Sequence, residues 1–274
     1  MTATTDRSDL LASLTEGISN LTSSDEWQRY LDCQSRFYRY SVNNVMLILT
    51  QRHDATRIAG FNAWKKLNRF VRKGEKAIWI IAPMRYTVDD TERADEKKQV
   101  IRGFKWVPVF DISATDGEEL PSIVNKLAGD DPAGLFEQLT AVAQSIGYHV
   151  EDAVLDGGVN GDCTYDLKRI RVEVSNSPAQ RVKTLAHEIA HALLHEGQKD
   201  RALAEMEAES TAYVVCQSLG IDSGDYSFGY VTTWAGGGEE AIAGITASCQ
   251  NIQKAVSTIL RAFEPQEGEQ EVAA

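Results

Sequence analysis

Apolar positions change their period along the chain at about residue 69. Between residues 24 and 68 apolar and aromatic side chains recur at helical spacing, as Trp27 and Leu31 do, and three short helices are predicted. The following "RFVRKGEKAIWIIAP" predicts two strands joined by a turn at Gly74, and "KKQVIRGFKWVPVFDIS" predicts further strands. Residues 24–115 are therefore expected to form a small α+β domain.

A second set of elements follows a polar connector. The stretch "PAGLFEQLTAVAQSIG" predicts a helix with Pro132 in its first turn. "CTYDLKRIRVEVS" predicts a hairpin, whose second strand alternates apolar residues such as Ile170 and Val172 with charged ones. Three helices are expected after it: one that begins near Ser177 and contains "HEIAHALLH", one over about residues 202–219, and an amphipathic one over about residues 239–263.

The predicted organisation is two α+β domains joined by a linker. The N-terminal stretch is polar and the most apolar runs are far too short to span a bilayer, so we expect a soluble cytoplasmic protein with no membrane partner. The four cysteines form no C-x-x-C pair, and buried thiols are expected. The segments are a flexible N-terminal arm (1–23), the first domain (24–115), a linker (116–130), the second domain (131–263) and a disordered tail (264–274).

Charge is unevenly distributed along the chain. The formal net charge is −12, but residues 27–86 hold twelve basic and three acidic residues, a net charge of +9, which leaves −21 for the remainder. The same segment holds ten of the 22 aromatic residues. Basic side chains follow a phosphate backbone and aromatic rings stack on unpaired bases, so this segment favours a single-stranded nucleic acid as partner. Each aromatic residue taken singly is nevertheless expected to lie in the core.

A metal-binding pattern lies in the helix predicted after Ser177. It contains His187-Glu188-x-x-His191, and on a helix both imidazoles point the same way, one turn apart. Two nitrogens at that spacing reach one zinc ion, and Glu188 is placed to act as a general base. The polar side chains form one narrow stripe on an otherwise apolar helix, which favours a lined site over a solvated face.

A catalytic zinc site with two histidines needs a third protein ligand, and the next predicted helix offers three glutamates. Glu205 and Glu209 share a face of small or apolar residues, where a carboxylate is costly unless it is paired or bound to metal. Glu205 is therefore the expected ligand and Glu209 the hydrogen-bond partner of a ligand histidine, with the reverse assignment left open. Glu207 is expected to be a solvated or loosely packed acid. His195 is expected at the rim of the site or at the helix end, because three ligands from one straight helix converge poorly on a tetrahedral ion.

The stretch "HEIAHALLH" followed by "EMEAESTAYVV" resembles the ImmA/IrrE-type gluzincin metallopeptidases. The resemblance covers about residues 130–220. It implies a zincin-like metallopeptidase fold with Zn²⁺ as cofactor. It also implies His187, His191 and Glu205 as ligands and Glu188 as general base.

The stretch "YSVNNVMLILTQRHDATRIAGFNAWKKLNRFVRKGEKAIWIIAP" resembles the N-terminal single-stranded-DNA-binding domain of ArdC-type antirestriction proteins. It is similar in its YSxxN start, its ATxxAGFxxW segment and its VxKGEKxIxIxAP end. It departs from that family at Asn68 and Ala77, where glycines are common, and at His53, where a proline is common. The resemblance covers about residues 25–115, and the joining of this domain to an HExxH domain is itself the ArdC arrangement. The candidate DNA-binding residues are Arg52, Arg57, Trp64, Lys65, Lys66, Arg69, Arg72, Lys73 and Lys76.

The sequence thus predicts a single-stranded-DNA-binding protein with a zinc-dependent metallopeptidase-like domain. Its second partner would be an unknown protein or peptide substrate, and its setting antirestriction, a mobile element or a stress response. Two alternatives stay open: a DNA-protecting factor whose zinc is structural, and a regulatory protease that cleaves a repressor. If the protein is a peptidase, residues 170–174 are expected to pair with an extended substrate along the edge of their strand.

Overall fold

The computed structural model describes residues 7–89, 97–120, 132–221 and 238–264, together with Phe228 and Val231. Most of the predicted linker, at 121–130, and the predicted tail from residue 265 lie outside the described residues. The chain has the α+β fold that the sequence predicts. It divides into two compact units, of which the first holds residues 7–14 and 43–120 and the second holds residues 15–42 and the described residues from 132 onward.

This division differs from the predicted domain boundaries near the N-terminus. The sequence predicts a flexible arm over residues 1–23, with a short helix as the alternative, and residues 7–19 form helix α1 (Arg7–Ser19). Helix α2 (Ser24–Arg36) belongs to the second unit rather than the first. The reason is its apolar face, from which the fully buried Trp27 donates a hydrogen bond to Ser210 Oγ over 2.9 Å. Trp27 and Tyr30 of the aromatic cluster in the sequence therefore belong to the core of the second unit.

The first unit is built on a long antiparallel hairpin of β3 (Ile78–Asp89) and β4 (Lys97–Asp111). Strand β1 (Ile58–Ala59) pairs with the end of β4. The stretch predicted as a strand before Gly74 forms β2 (Arg69–Val71), which pairs with β5 (Thr115–Gly117) rather than with β3. Gly74 itself has the positive φ of 91° that the predicted turn requires.

Helix α3 (Val42–Gln51) covers one edge of β3 with side-chain amides. Asn44 bonds both the N–H and the C=O of Ile81, each at 2.8 Å, and Gln51 bonds both groups of Trp79, each at 2.9 Å. The two amide residues lie on one face of the helix, two turns apart. They satisfy backbone groups that would otherwise be exposed for pairing with another chain.

The second unit holds a three-stranded sheet in the order β6 (His149–Ala153), β8 (Arg169–Glu173), β7 (Gly161–Thr164). The predicted hairpin of β7 and β8 is confirmed, and β6 pairs with β8 in the parallel direction. The prediction that residues 170–174 offer a free edge to a substrate is wrong, because β6 and β7 flank β8 on both sides. Among the described residues, β6 and β7 form the two edges of this sheet.

Besides α2, four further α-helices of the described residues belong to the second unit, and the sequence predicts all four. Leu185, Ile189, Val215 and Ile252 are fully buried where they pack together. Of the four free cysteines, Cys163 alone is half-buried and the others are buried. None of the described helices is both long and apolar enough to cross a membrane. The helices are α5 (Pro132–Ser145), α6 (Pro178–Leu194), α7 (Arg201–Ser218) and α8 (Glu239–Leu260).

Candidate metal centre

Helix α6 presents the two predicted histidines to one point. The side chain of Ser177, which with Asn176 is one of the two caps that the sequence offers, caps its first turn. Leu185 and Ile189 are fully buried on its apolar face, and this burial fixes the rotation of the helix. His187 and His191 then lie one turn apart, with their Nε2 atoms separated by 3.0 Å.

Glu205 on α7 brings a carboxylate oxygen to the same point. Its Oε2 lies 3.4 Å from Nε2 of His187 and 3.7 Å from Nε2 of His191. One ligand atom from each of the three residues lies within 4.8 Å of the others. Ligands at about 2.0–2.1 Å from a tetrahedral zinc ion are about 3.4 Å from one another, close to the observed separations. The donor types and their spacing therefore fit a zinc ion.

Glu205 reaches this point from an exposed position, which contradicts the reason for which the sequence favours it. Its side chain is 50% exposed, so it does not lie on a buried face of α7. Hydrogen bonds with His187 and His191 hold the pKa of Glu205 well below its usual range. The carboxylate is thereby kept in the ionised form that binds metals.

Glu209 lies behind His187, where the sequence predicts it. Its Oε2 is 3.2 Å from Nδ1 of His187, and its Oε1 is 3.1 Å from Nζ of Lys183. Burial raises the pKa of Glu209, but the bond with His187 and the charge of Lys183 outweigh this effect and lower it. Burial lowers the pKa of His187, but the bonds with Glu205 and Glu209 raise it to about 9. A carboxylate that accepts from Nδ1–H leaves Nε2 facing the metal position.

Glu188 is buried beside the three candidate ligands. It is 7% exposed and lines a cavity of about 230 Å³. Burial raises the pKa of Glu188 to about 7, although the charge of His187 opposes this shift. A carboxyl group that titrates near neutral pH can both accept and return a proton. The cavity is lined by Asn160, Gly161, Gln180, Lys183, Thr184, His187, Glu188 and Glu209.

Gly161 at the start of β7 allows this edge strand to approach α6 closely. A Cβ at this position would lie 2.5 Å from Cγ2 of Thr184 and 3.3 Å from Cγ of Glu188. It would also lie 2.9 Å from the carbonyl oxygen of Arg171. The sequence does not point to this glycine, because its role depends on how β7 packs against α6.

His195 and Glu207 are both buried. His195 is the C-cap residue of α6, which confirms one of its predicted positions, whereas the prediction that Glu207 is a solvated or loosely packed acid is wrong. The two residues are 3% and 2% exposed. Nδ1 of His195 lies 2.9 Å from Nδ1 of His191, and its Nε2 lies 3.1 Å from Oε2 of Glu207. His195 therefore lies behind a candidate ligand rather than at a rim. Glu207 is enclosed because it faces α8, which is distant in the sequence.

The nine predicted DNA-binding residues lie in the first unit but differ in exposure. Trp64 is a core residue rather than a stacking surface, because it is 2% exposed and its Nε1 donates to a carbonyl of β4 over 2.8 Å. Two arginines of the set bond to other residues of the first unit. Arg69 Nε donates to Thr115 Oγ1 over 2.8 Å, and Arg72 forms an ion pair with Glu75 at 2.7 Å.

The remaining residues of the set differ in how far their charged groups are exposed to solvent. Arg52 pairs with Asp54 at 3.4 Å, and Arg57 is half-buried, which lowers the pKa of its guanidinium. The four lysines of the set are exposed: Lys65, Lys66, Lys73 and Lys76.

Two exposed aromatic residues accompany these lysines. Phe61 is 55% exposed and Phe70 is 56% exposed. Phe61 lies one turn before Lys65 on α4 (Phe61–Lys66), so both are on the same side of this short helix. Both phenylalanines belong to the aromatic cluster counted in the sequence. Only the structure shows that these two rings are exposed whereas Trp64 is buried.

Comparisons with known proteins match both units. The family model for the N-terminal domain of the anti-restriction factor ArdC matches residues 7–110, and the model for the IrrE N-terminal-like domain, Peptidase M78, matches residues 148–216. An uncharacterized protein of Bacillus anthracis, pXO2-81, is 25% identical over 271 residues, and the match covers 83% of this chain. The chain spans 46% of the length of that relative.

Two solved structures are similar to the chain. The crystal structure of the metal-free antirestriction ArdC protein from the R388 plasmid is 22% identical, with a TM-score of 0.50, over 81% of this chain and 83% of that one. The Mn(II)-bound structure of the same protein is 21% identical, with a TM-score of 0.48, over the same shares. The first of these supports the fold.

The fold is α+β with two compact units, and residues 148–216 of the second unit match the M78 family model. The chain joins a segment that matches the ArdC N-terminal domain model to one that matches the IrrE N-terminal-like domain model.

Proposed function

We propose that the second unit is a zinc-dependent peptidase in which His187, His191 and Glu205 hold the metal and Glu188 is the general base. The observation that carries this proposal is the convergence of three ligand atoms within 4.8 Å beside a buried glutamate. Zinc, when bound, lowers the pKa of a water molecule and polarises a carbonyl group. Hydrolysis of a peptide bond by a pair of histidines, a glutamate ligand and a second glutamate is a recurrent use of this arrangement.

Glu188 would make both proton transfers of the reaction. Glu188 accepts a proton from the attacking water at a carboxylate oxygen, and it passes that proton to the nitrogen of the leaving amine. In the metal-free chain its burial raises its pKa to about 7. Glu209 and Lys183 orient His187 through Nδ1.

The strand that would bind the substrate is β7 rather than β8. Asn160 and Gly161 line the cavity that also contains Glu188. An extended peptide that adds to the edge of β7 would place its backbone next to the metal position, and main-chain hydrogen bonds would supply much of the affinity. The amino-acid preference of the peptidase would then depend on the cavity side chains.

Gly161→Ala is expected to lower peptidase activity by about 100-fold, because the added methyl group displaces Glu188 or the edge of β7. The measurement is kcat/KM on a peptide substrate, with circular dichroism to confirm folding. Gly157→Ala serves as a comparison, since a Cβ there meets nothing within 4 Å, although its positive φ of 75° makes a small loss of stability expected. Equal activities of the wild type and Gly161→Ala would contradict the proposed role of β7.

Zinc affinity is expected to rise about tenfold per pH unit between pH 7 and pH 9 and to level off above pH 9. His187 has a pKa of about 9 in the metal-free protein, so below that pH one proton must leave before the nitrogen can bind zinc. Competition with a chromophoric chelator at fixed ionic strength measures the slope. A pH-independent affinity over this range would contradict binding that requires a proton to leave His187.

We further infer that the first unit binds single-stranded DNA through a surface made of the exposed residues Phe61, Lys65, Lys66, Phe70, Lys73 and Lys76. The ArdC-type domain assignment and the exposure of two phenylalanines among four lysines support this surface. Lysines track the phosphates while rings stack on bases without regard to sequence. We propose antirestriction, or another function of a mobile element, as the setting.

Phe61→Ala and Phe70→Ala are each expected to weaken single-stranded DNA binding by about 5- to 100-fold, the effect of removing one stacking ring. Lys65→Gln is expected to lower the slope of log affinity against log salt by about one. Fluorescence anisotropy with labelled oligonucleotides measures both effects. Lys254→Gln, an exposed lysine of the second unit, is the control. Unchanged affinity in both phenylalanine variants would exclude this surface.

A further inference from the structure

A chain of buried polar side chains leads away from the proposed metal position. Behind His191 lies His195, with the two Nδ1 atoms 2.9 Å apart, and behind His195 lies Glu207, 3.1 Å from its Nε2. His195 and Glu207 are 3% and 2% exposed. Burial of polar side chains costs free energy, which hydrogen bonds such as these must offset. Apolar side chains would fill the same space without that cost, so we expect these residues to have a role other than packing.

Side chains of α8 form hydrogen bonds with Glu207, the last residue of this hydrogen-bonded series. Ser248 Oγ lies 2.7 Å from Oε1 of Glu207, and Asn251 Nδ2 lies 3.1 and 3.2 Å from its two carboxylate oxygens. A hydroxyl group and an amide N–H donate to a carboxylate, which accepts. The oxygen that faces His195 therefore accepts as well, and the hydrogen of His195 is held on Nε2.

This assignment determines the tautomer of the candidate ligand. With its hydrogen on Nε2, neutral His195 has a lone pair on Nδ1, so it accepts from Nδ1–H of His191. His191 then carries a lone pair on Nε2, the atom that faces His187 and Glu205. The opposite arrangement would place a hydrogen on Nε2 of His191 and block metal binding.

We propose that Glu207 and His195 are positioning residues that hold His191 in its metal-binding tautomer, and that α8 is therefore part of the metal centre. The inference rests on the proposed metal site and deepens it. It assigns a role to residues that touch neither metal nor substrate. It also extends the metal-binding unit beyond residue 216, where the match to the IrrE-like domain ends, to α8 at Glu239–Leu260.

The first test compares zinc affinities by competition with a chromophoric chelator. His195→Phe removes the acceptor for His191 and is expected to lower affinity by about 10- to 100-fold. His195→Asn should recover part of this loss, because Oδ1 can occupy the place of Nδ1 and accept from His191. Ser210→Ala is the matched control, since it removes another buried hydrogen bond of α7, the 2.9 Å bond with Trp27, away from the histidines.

The second test reads the tautomers directly by two-bond ¹H–¹⁵N spectra of the wild-type chain, and it decides the question even if His195→Phe does not fold. The proposal requires the hydrogen on Nδ1 of His191 and on Nε2 of His195. The opposite placement, or wild-type affinity in a folded His195→Phe variant, would overturn it. If the wild type binds no zinc, the proposed peptidase site fails instead, and the tautomers still report on the hydrogen-bond chain.

Discussion

Glu188→Gln is expected to abolish most peptide hydrolysis while zinc remains bound. The carboxylate is the only group that the proposal assigns to proton transfer, and loss of such a group lowers rates by about 10²- to 10⁴-fold. Zinc should stay because the three ligand atoms come from other residues. The measurements are cleavage of casein and of a quenched-fluorescent peptide library, together with zinc content by mass spectrometry.

The control for this variant is Glu196→Gln. Glu196 lies just past the end of α6, and its carboxylate pairs with Lys168 at 2.9 Å while its side chain is 61% exposed. We expect full activity from it. Hydrolysis by Glu188→Gln at the wild-type rate would contradict the role of Glu188. If instead protection of DNA from restriction survives in Glu188→Gln, then proteolysis is not needed for antirestriction.

His191→Ala is expected to lower zinc affinity by at least about 100-fold. Zinc sites of proteins provide about 10–16 kcal/mol shared among four ligands, so one ligand contributes about 3 kcal/mol. The loss should be larger than that of any variant in the chain of residues behind His191, because the ligand atom itself is removed. Isothermal titration with Zn²⁺ measures the effect.

His149→Ala is the matched control for the ligand variant. His149 lies on β6 of the second unit, its side chain is 69% exposed, and it is far in sequence from the HExxH motif. It should bind zinc as the wild type does. If His191→Ala retains wild-type affinity, the zinc that the protein binds lies elsewhere.

The local part of the metal site follows from the sequence because helix geometry is local. Two histidines four residues apart must lie on one face, and the apolar positions around them set which face is buried. Glu205 was favoured for burial that it does not have. Its position depends on the crossing of α6 and α7, which no spacing within one helix reveals.

The hydrogen-bond partners of the site lie beyond prediction from the sequence for the same reason. Glu207 reads as an ordinary helix glutamate until Ser248 and Asn251, about 40 residues later, come into contact with it. The absence of a free edge on β8 depends on the parallel pairing of β6 with β8, another contact between distant segments. The aromatic cluster was similarly divided by tertiary structure, because Trp27 packs in one unit and Phe61 is exposed on the other.

Zinc K-edge X-ray absorption of the zinc-loaded chain tests the central claim most directly. The account predicts nitrogen and oxygen ligands at about 2.0–2.1 Å and the multiple-scattering pattern of two imidazoles. That pattern should weaken in His191→Ala. A sulfur shell at about 2.3 Å, or a spectrum without imidazole ligands, would contradict the assignment of His187, His191 and Glu205 as the metal centre.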